Sequence, residues 1–162
     1  MPPSGTSADG RSAEQTVVVR RATLVEIMAL RHAVLRAGMP RAAADFDGDD
    51  EPATIHVGAF LPDGAVAGCA SAMRRPFEDR PAYQLRGMAT RPDLVGRGIG
   101  TRVLRFVEQA LAPEFLWCNA RAPAVDFYRR AGWRVVSDVF DIPTAGPHYR
   151  MTRDLTTAGR RP

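Results

Sequence analysis

Residues 90–111 read TRPDLVGRGIGTRVLRFVEQAL. Three glycines alternate at Gly96, Gly98 and Gly100, and apolar residues at helical spacing, Val103, Leu104, Val107, Ala110 and Leu111, follow at once. A helix start leaves backbone N–H groups without partners and gathers about half a positive charge there, so an anion binds naturally. Glycine permits positive φ and removes the Cβ atoms that would hold a phosphate away from those amides. The stretch therefore reads as a phosphate cradle at the mouth of a helix, with Arg97 and Arg102 adding charge at its rim. It is not a P-loop, because GRGIGT lacks the Lys-Ser/Thr ending. Nor is it a dinucleotide fingerprint, since no second β-α-β unit with an acidic residue about 20 positions on follows a leading strand. Taken alone, the glycine run equally describes a tight strand-to-helix turn that binds nothing.

Working outward, TVVVRRA (16–22) is a β-branched strand, and Thr23 caps a helix through about Ala37. Leu24, Ile27, Met28, Leu30, Val34 and Leu35 supply that helix's apolar face, and Gly38 and Pro40 stop it. An acidic loop, PRAAADFDGDDEPA (40–53), leads to TIHVGAF (54–60) and VAGCASAMRR (66–75), a hairpin by the chemistry of its turn LPDGA. AYQLRGMAT (82–90) is a further strand, its Tyr83, Leu85 and Gly87 alternating with Gln84, Arg86 and Met88. Beyond the glycine stretch, EFLWCNA (114–120) is a strand buried on both faces. APAVDFYRRAG (122–132) is a short helix with Pro123 in its first turn and Gly132 as its stop. WRVVSDVFDI (133–142) and HYRMTRDL (148–155) complete the chain as two strands joined by PTAGP. The order is an α/β class chain of the α+β, mixed-sheet kind, with helices on the faces of the sheet.

The chain of 162 residues fits one domain, expected over 16–156, between a disordered N-terminal tail (1–15) and a short C-terminal one (157–162). No run approaches the ~18 apolar residues of a membrane helix, and the first residues carry no apolar secretion core, so a soluble cytoplasmic protein without a membrane partner is expected. Cys69 and Cys118 are far apart and His32, His56 and His148 are scattered, which argues for buried, reduced thiols and no metal site. All 22 basic residues are arginine, so mechanisms that need a catalytic lysine are excluded. The net charge of +4 comes from arginines spread beside 18 carboxylates rather than massed in one stripe, which argues against a nucleic-acid partner.

Read together, MATRPDLVGRGIGTRVL (88–104) and LWCNARAPAVDFYRRAGW (116–133) resemble the GCN5-related N-acetyltransferase (GNAT) superfamily. That family's phosphate loop reads [Gln/Arg]xxGx[Gly/Ala]. Arg97, Gly98, Ile99 and Gly100 match its last four positions, and Val95 departs from its first. The resemblance covers about Val17 to Leu155 and is most specific between Met88 and Gly132. It implies a GNAT fold: a central, mostly antiparallel mixed sheet of about six to seven strands, splayed in the middle and flanked by three to four helices. It also implies acetyl-CoA as cosubstrate and no metal. The backbone of Met88, Ala89 and Thr90 would pair with the pantetheine amides, Gly96, Arg97, Gly98, Ile99, Gly100 and Thr101 would hold the pyrophosphate, and Asn119 would bond cofactor or a water.

Acetyl transfer from a thioester to an amine needs a neutral amine, a stabilised oxyanion and a proton for the departing thiolate. By the same resemblance, Ala124, Phe127, Tyr128 and Gly132 match the family's A..FY...G motif, which sets the tyrosine beside the CoA sulfur. A phenol with an ordinary pKa near 10 is protonated at neutral pH, so Tyr128 suits the role of general acid. The oxyanion would be met by strand backbone N–H groups near Met88. Many family members carry a carboxylate base on the strand before the phosphate loop, where this chain has Gln84 and Arg86. His148 could face the acceptor or serve only in packing. The loop DFDGDDE (45–51) does not fit a calcium loop, with Asp50 where an EF-hand needs glycine, and is expected either to attract a cationic amine or to be a solvated surface. The expected function is direct acetyl transfer to a small-molecule or peptide amine; a GNAT-like acyl-CoA sensor without transferase activity is the alternative. Exposed sheet edges leave room for a homodimer.

Overall fold

The computed structural model describes residues 16–156. The tails expected over 1–15 and 157–162 lie outside the described residues.

A capping box starts the first helix: the Glu26 N–H donates to Thr23 Oγ1 (3.3 Å) and the Thr23 N–H to Glu26 Oε2 (2.7 Å). This helix, α1 (Leu24–Leu35), follows strand β1 (Val18–Ala22). It stops two residues before the expected Ala37, with Arg36 leaving helical geometry at φ −135°. The hairpin forms as β2 (Ile55–Phe60) and β3 (Val66–Arg74), and β4 (Tyr83–Thr90) runs antiparallel to β3. Helix α2 (Ile99–Leu111) buries Ile99, Val103, Leu104, Val107 and Leu111, while Ala110, expected on that face, is exposed. Full burial of Val103, Leu104 and Val107 contributes about 1.5–3 kcal/mol each toward holding α2 on the sheet.

Strand β5 (Phe115–Arg121) and helix α3 (Val125–Arg130) follow. The single strand expected over 133–142 is instead two short ones, β6 (Arg134–Val135) and β7 (Phe140–Ile142), both on one edge of β8 (Gly146–Asp154). Between them the Ser137 hydroxyl accepts from the Arg150 N–H (2.8 Å), taking over a bond the ladder would have made. Among the described residues the result is one eight-stranded sheet in the order β1-β2-β3-β4-β5-β8-β6, with β7 also on β8, and three α-helices.

Helices α1 and α2 lie on opposite faces of this sheet. Ile27 and Leu30 of α1 pack with Cys69 and Ala89, whereas the α2 residues join Val57, Ala72, Leu85, Leu116 and Tyr128 in the main core. Both thiols are free and buried.

One irregularity in β4 changes which side chains face which helix. Cys69 pairs with Ala89 but Ser71 with Arg86, so the strand carries an extra residue between them, at Gly87 and Met88. Gly87 has φ +65°, the left-handed backbone that glycine adopts without strain. The alternation expected to run on through Gly87 and Met88 breaks there. Arg86 and Ala89, three positions apart, both face α1.

Candidate active site

The two central strands part company almost as soon as they meet. Parallel pairing of β4 with β5 is confined to Tyr83 with Leu116 and Gln84 with Trp117. Beyond that point β5 follows β8 as far as Arg121 paired with His148, and β4 continues beside β3. A cleft of about 250 Å³ opens in the gap. Leu85 to Met88 of β4 and Cys118 to Arg121 of β5 line it, together with Phe127 and Tyr128 of α3.

Met88, Asn119 and Tyr128, three residues singled out in the sequence, thus line a single cleft. The glycine loop stands next to it. A Cβ built on Gly100 would touch the Phe127 ring and Thr90 Oγ1, each at 3.5 Å. Gly98 is the N-cap of α2 at φ +79°, and Gly96 has φ +84°. Nothing lies within 4 Å of a Cβ built on either glycine. The first turn of α2 closes through the Arg102 N–H on the Gly98 carbonyl (3.1 Å), so the amides preceding it point out of the helix end. Arg97 is exposed on this loop and so is Val95. Ala89 is buried against α1 and Thr90 closes the strand. These residues fit a phosphate-bearing cosubstrate: a helix start left open at Gly96 and Gly98 adjoins a cleft where the buried Asn119 Oδ1 lacks a hydrogen-bond partner among the described residues.

Tyr128 is 5% exposed, its ring wedged between Phe127 (5.1 Å between centroids) and Trp133 (5.3 Å). The Trp133 indole N–H donates to Glu108 Oε1 on α2 (2.8 Å), which fixes the segment after α3 to the helix that carries the glycine loop. Burial, with the neighbouring Cys118 thiol as a second cause, holds the Tyr128 phenol well above its ordinary range. The same burial pushes the Cys118 thiol up, so neither group ionises near neutrality.

On the α1 face of the cleft, His148 is buried, with its ring stacked on Phe140 at 6.1 Å. Its Nδ1 donates to the Gly146 carbonyl (2.7 Å), which leaves Nε2 as the acceptor in the neutral ring. Arg36, Arg86 and Arg121 line the same side, with Phe46 beside them.

The acidic loop does not present its carboxylates here. Glu51 and Asp47 pair with Arg75 at 2.9 and 3.5 Å, and Asp45 pairs with Arg41 at 2.6 Å. Asp49 turns inward, and both of its oxygens accept from the guanidinium of Arg31 at 2.8 and 3.1 Å. Arg31, on the buried side of α1, also donates to the Ala44 carbonyl (3.0 Å) and Ser71 Oγ (2.7 Å). Ser71 Oγ lies 2.7 Å from His56 Nδ1 in turn. The loop's contribution to the cleft is the Phe46 ring, held by the Phe46 N–H donating to Asp49 (2.8 Å). Of the two expectations for this loop, the arrangement favours the surface one: Asp45, Asp47, Asp49 and Glu51 pair with arginines of this chain, and Asp50 is exposed. Arg31, Phe46, Arg36 and Arg121 carry no mark in the sequence, and Arg86 stands out there only as the residue in place of a carboxylate base; the one available signal for Arg31 is that it falls four residues after Ile27, on the apolar face of α1.

Comparison with known proteins agrees with this geometry. The model of the Acetyltransferase (GNAT) family matches residues 24–133. The uncharacterized N-acetyltransferase YitI of Bacillus subtilis (strain 168) is 30% identical over 146 residues, covering 86% of this chain and 97% of that protein. The chain belongs to the GNAT acetyltransferase family. Among solved structures, Escherichia coli ElaA superposes with a TM-score of 0.70 at 18% identity, over 85% of this chain and 99% of that one. An aminoglycoside 6'-N-acetyltransferase complexed with coenzyme A gives 0.69 at 13% identity, over 90% and 99%. Among the described residues no helix is long and apolar enough to cross a membrane.

Proposed function

We propose that the protein transfers an acetyl group from acetyl-CoA directly to the amine of an acceptor, with Tyr128 as the general acid. The observation that carries this reading is the position of Tyr128: a phenol kept protonated by burial, lining the cleft that adjoins a glycine-bearing helix start.

Acetyl-CoA, when bound, supplies an activated thioester carbonyl. The amides of the loop Gly96 to Thr101 would hold its pyrophosphate, Met88, Ala89 and Thr90 would pair with its pantetheine as an added strand, and Asn119 would bond it or a water. Tyr128 keeps a proton at its hydroxyl for the leaving sulfur. The strand N–H groups near Met88, redirected by the extra residue at Gly87, stabilise negative charge on the reacting carbonyl oxygen. His148 lines the same cleft with Nε2 as its acceptor nitrogen, and would take a proton from the acceptor amine. Buried Cys118, its thiol held protonated, is not a nucleophile, which supports direct transfer.

Turnover of acetyl-CoA against a panel of amines, compared between the wild type and Tyr128→Phe, tests the assignment. The expected result is a fall in kcat of about a hundredfold or more, with CoA affinity retained in a calorimetric titration. Equal turnover would remove Tyr128 from this role.

A further inference from the structure

Three guanidinium groups meet on the α1 side of the cleft. Arg36 and Arg121 share one acceptor, the Leu35 carbonyl at the end of α1, with Arg36 Nη1 at 2.9 Å and Arg121 Nη2 at 3.4 Å. Arg36 and Arg86 share one aromatic ring, their guanidinium carbons lying 5.5 and 4.3 Å from the centroid of Phe46. Arg36, Arg86 and Arg121 thus form a contiguous group, and all three line the cleft. None takes part in an ion pair among the described residues, although Arg31, Arg41, Arg75 and others do. The nearest buried carboxylate, Asp49, is occupied by Arg31 through both oxygens.

Clustering like charges in a partly desolvated pocket is unfavourable unless something answers them. Arg86 registers this: burial, with Arg31, Arg36 and Arg75 nearby, lowers its pKa against the opposing pull of Asp49. Arg36 is lowered in the same way, by burial first and then by Arg121 and Arg31. The Leu35 carbonyl accounts for one N–H each of Arg121 and Arg36, and the Ala43 carbonyl for a second of Arg36 (3.2 Å); among the described residues the Arg86 fork donates no hydrogen bond.

Resting on the acyltransferase reading above, we infer that the acceptor is an amine that carries its own anionic group, bound by Arg86 together with Arg36 and Arg121. A carboxylate or a phosphate would match the planar guanidinium fork. Polycationic acceptors are disfavoured by the same charges. Proximity to His148, the cross-strand partner of Arg121, sets the acceptor's amine end within the cleft.

The test compares matched acceptors: the common L-amino acids, their α-carboxamides, O-phosphoethanolamine, ethanolamine, spermidine and kanamycin. CoA release is followed in wild type, Arg86→Gln, Arg86→Lys and Arg121→Gln, with acetyl-CoA binding measured by calorimetry in each. For at least one anionic acceptor, kcat/KM should exceed that of its neutral counterpart, the α-carboxamide or ethanolamine, by about tenfold or more, the worth of one charge-assisted pair. Arg86→Gln should abolish that ratio by raising KM for the anionic acceptor alone, and Arg86→Lys should retain part of it. Which anionic acceptor wins tells carboxylate from phosphate. Preference for spermidine, kanamycin or the neutral counterparts, or a ratio unchanged in all three variants, would overturn the inference. If wild type fails to bind acetyl-CoA, the acyltransferase reading falls separately. Direct titration of the same acceptors then decides this one: about tenfold tighter binding of an anionic member upholds it, and equal binding overturns it.

Discussion

Replacing Asp49 by asparagine keeps the shape of the side chain and removes its charge. In the wild type the Arg31 side chain is 0% exposed and that of Asp49 5%, so the pair is out of reach of water. Asp49→Asn would leave a buried guanidinium with neutral acceptors alone, the substituted amide's oxygen, Ala44 O and Ser71 Oγ. Breaking such a pair from one side costs about 3–5 kcal/mol, a large part of the roughly 5–15 kcal/mol that holds a domain together. At about 2–4 °C per kcal/mol for a chain of this size, the melting temperature should fall by about 6–20 °C. Arg31→Met should cost a similar amount, because Asp49 would keep only the Phe46 N–H. The double variant carries no orphaned charge and should lose only about 2 kcal/mol, less than either single change. Urea unfolding followed by far-ultraviolet circular dichroism, run as a double-mutant cycle, gives all three values. An Asp49→Asn protein within 1 kcal/mol of wild type, or a double variant equal to the sum of the singles, would refute the reasoning.

Gly98→Asn and Gly98→Asp are nearly isosteric and both tolerate positive φ, so they separate backbone strain from charge at the start of α2. Calorimetry should show the aspartate variant binding CoA about tenfold or more weakly than the asparagine one, and equal affinities would remove the anion cradle. Stability should also decline on the alkaline side. Burial pushes the Cys69 thiol up from 9.0 to about 12, so the folded state favours the protonated form. That contribution is intact below the unfolded value of about 9 and is lost as pH rises toward 12. Cys118 and Tyr128 shift in the same direction. Melting temperatures measured from pH 8 to 11 should therefore fall above about 9, and Cys69→Ala should be flatter; an unchanged slope would count against this origin.

Where the sequence carried a period or a cap, it was readable. The capping box at Thr23, the apolar stripe of α2 and the glycines before it all appear where local chemistry places them. The splay of β4 from β5 was expected only through the family resemblance, since no residue pattern announces that two strands pair at one end and part at the other. Arg31 was passed over because an arginine inside a helix reads as surface until its partner is known, and Asp49 lies 18 residues away. For the same reason the acidic loop looked like a source of field rather than a set of ion pairs. The cleft arginines come from α1, β4 and β5, and only tertiary structure brings such separate positions together. Ser137 broke the strand expected across it by a side-chain bond to a backbone group 13 residues on.

The extra residue at Gly87 makes β4 a strand of mixed parity. Before it, odd-numbered side chains such as Leu85 belong to the α2 core; after it, Ala89 belongs to α1. Removing one residue there would do more than shorten the strand. It would turn the outer half over, sending Ala89 toward α2 and reversing the backbone amides that face the cleft. Filling the position instead would strain the backbone at φ +65° and put a Cβ 3.1 Å from both Arg31 Nε and the Phe46 ring, which would have to give way. A change of one atom at this glycine would therefore be felt at once by the buried ion pair, the ring that carries the cleft arginines and the strand that faces the reacting carbonyl.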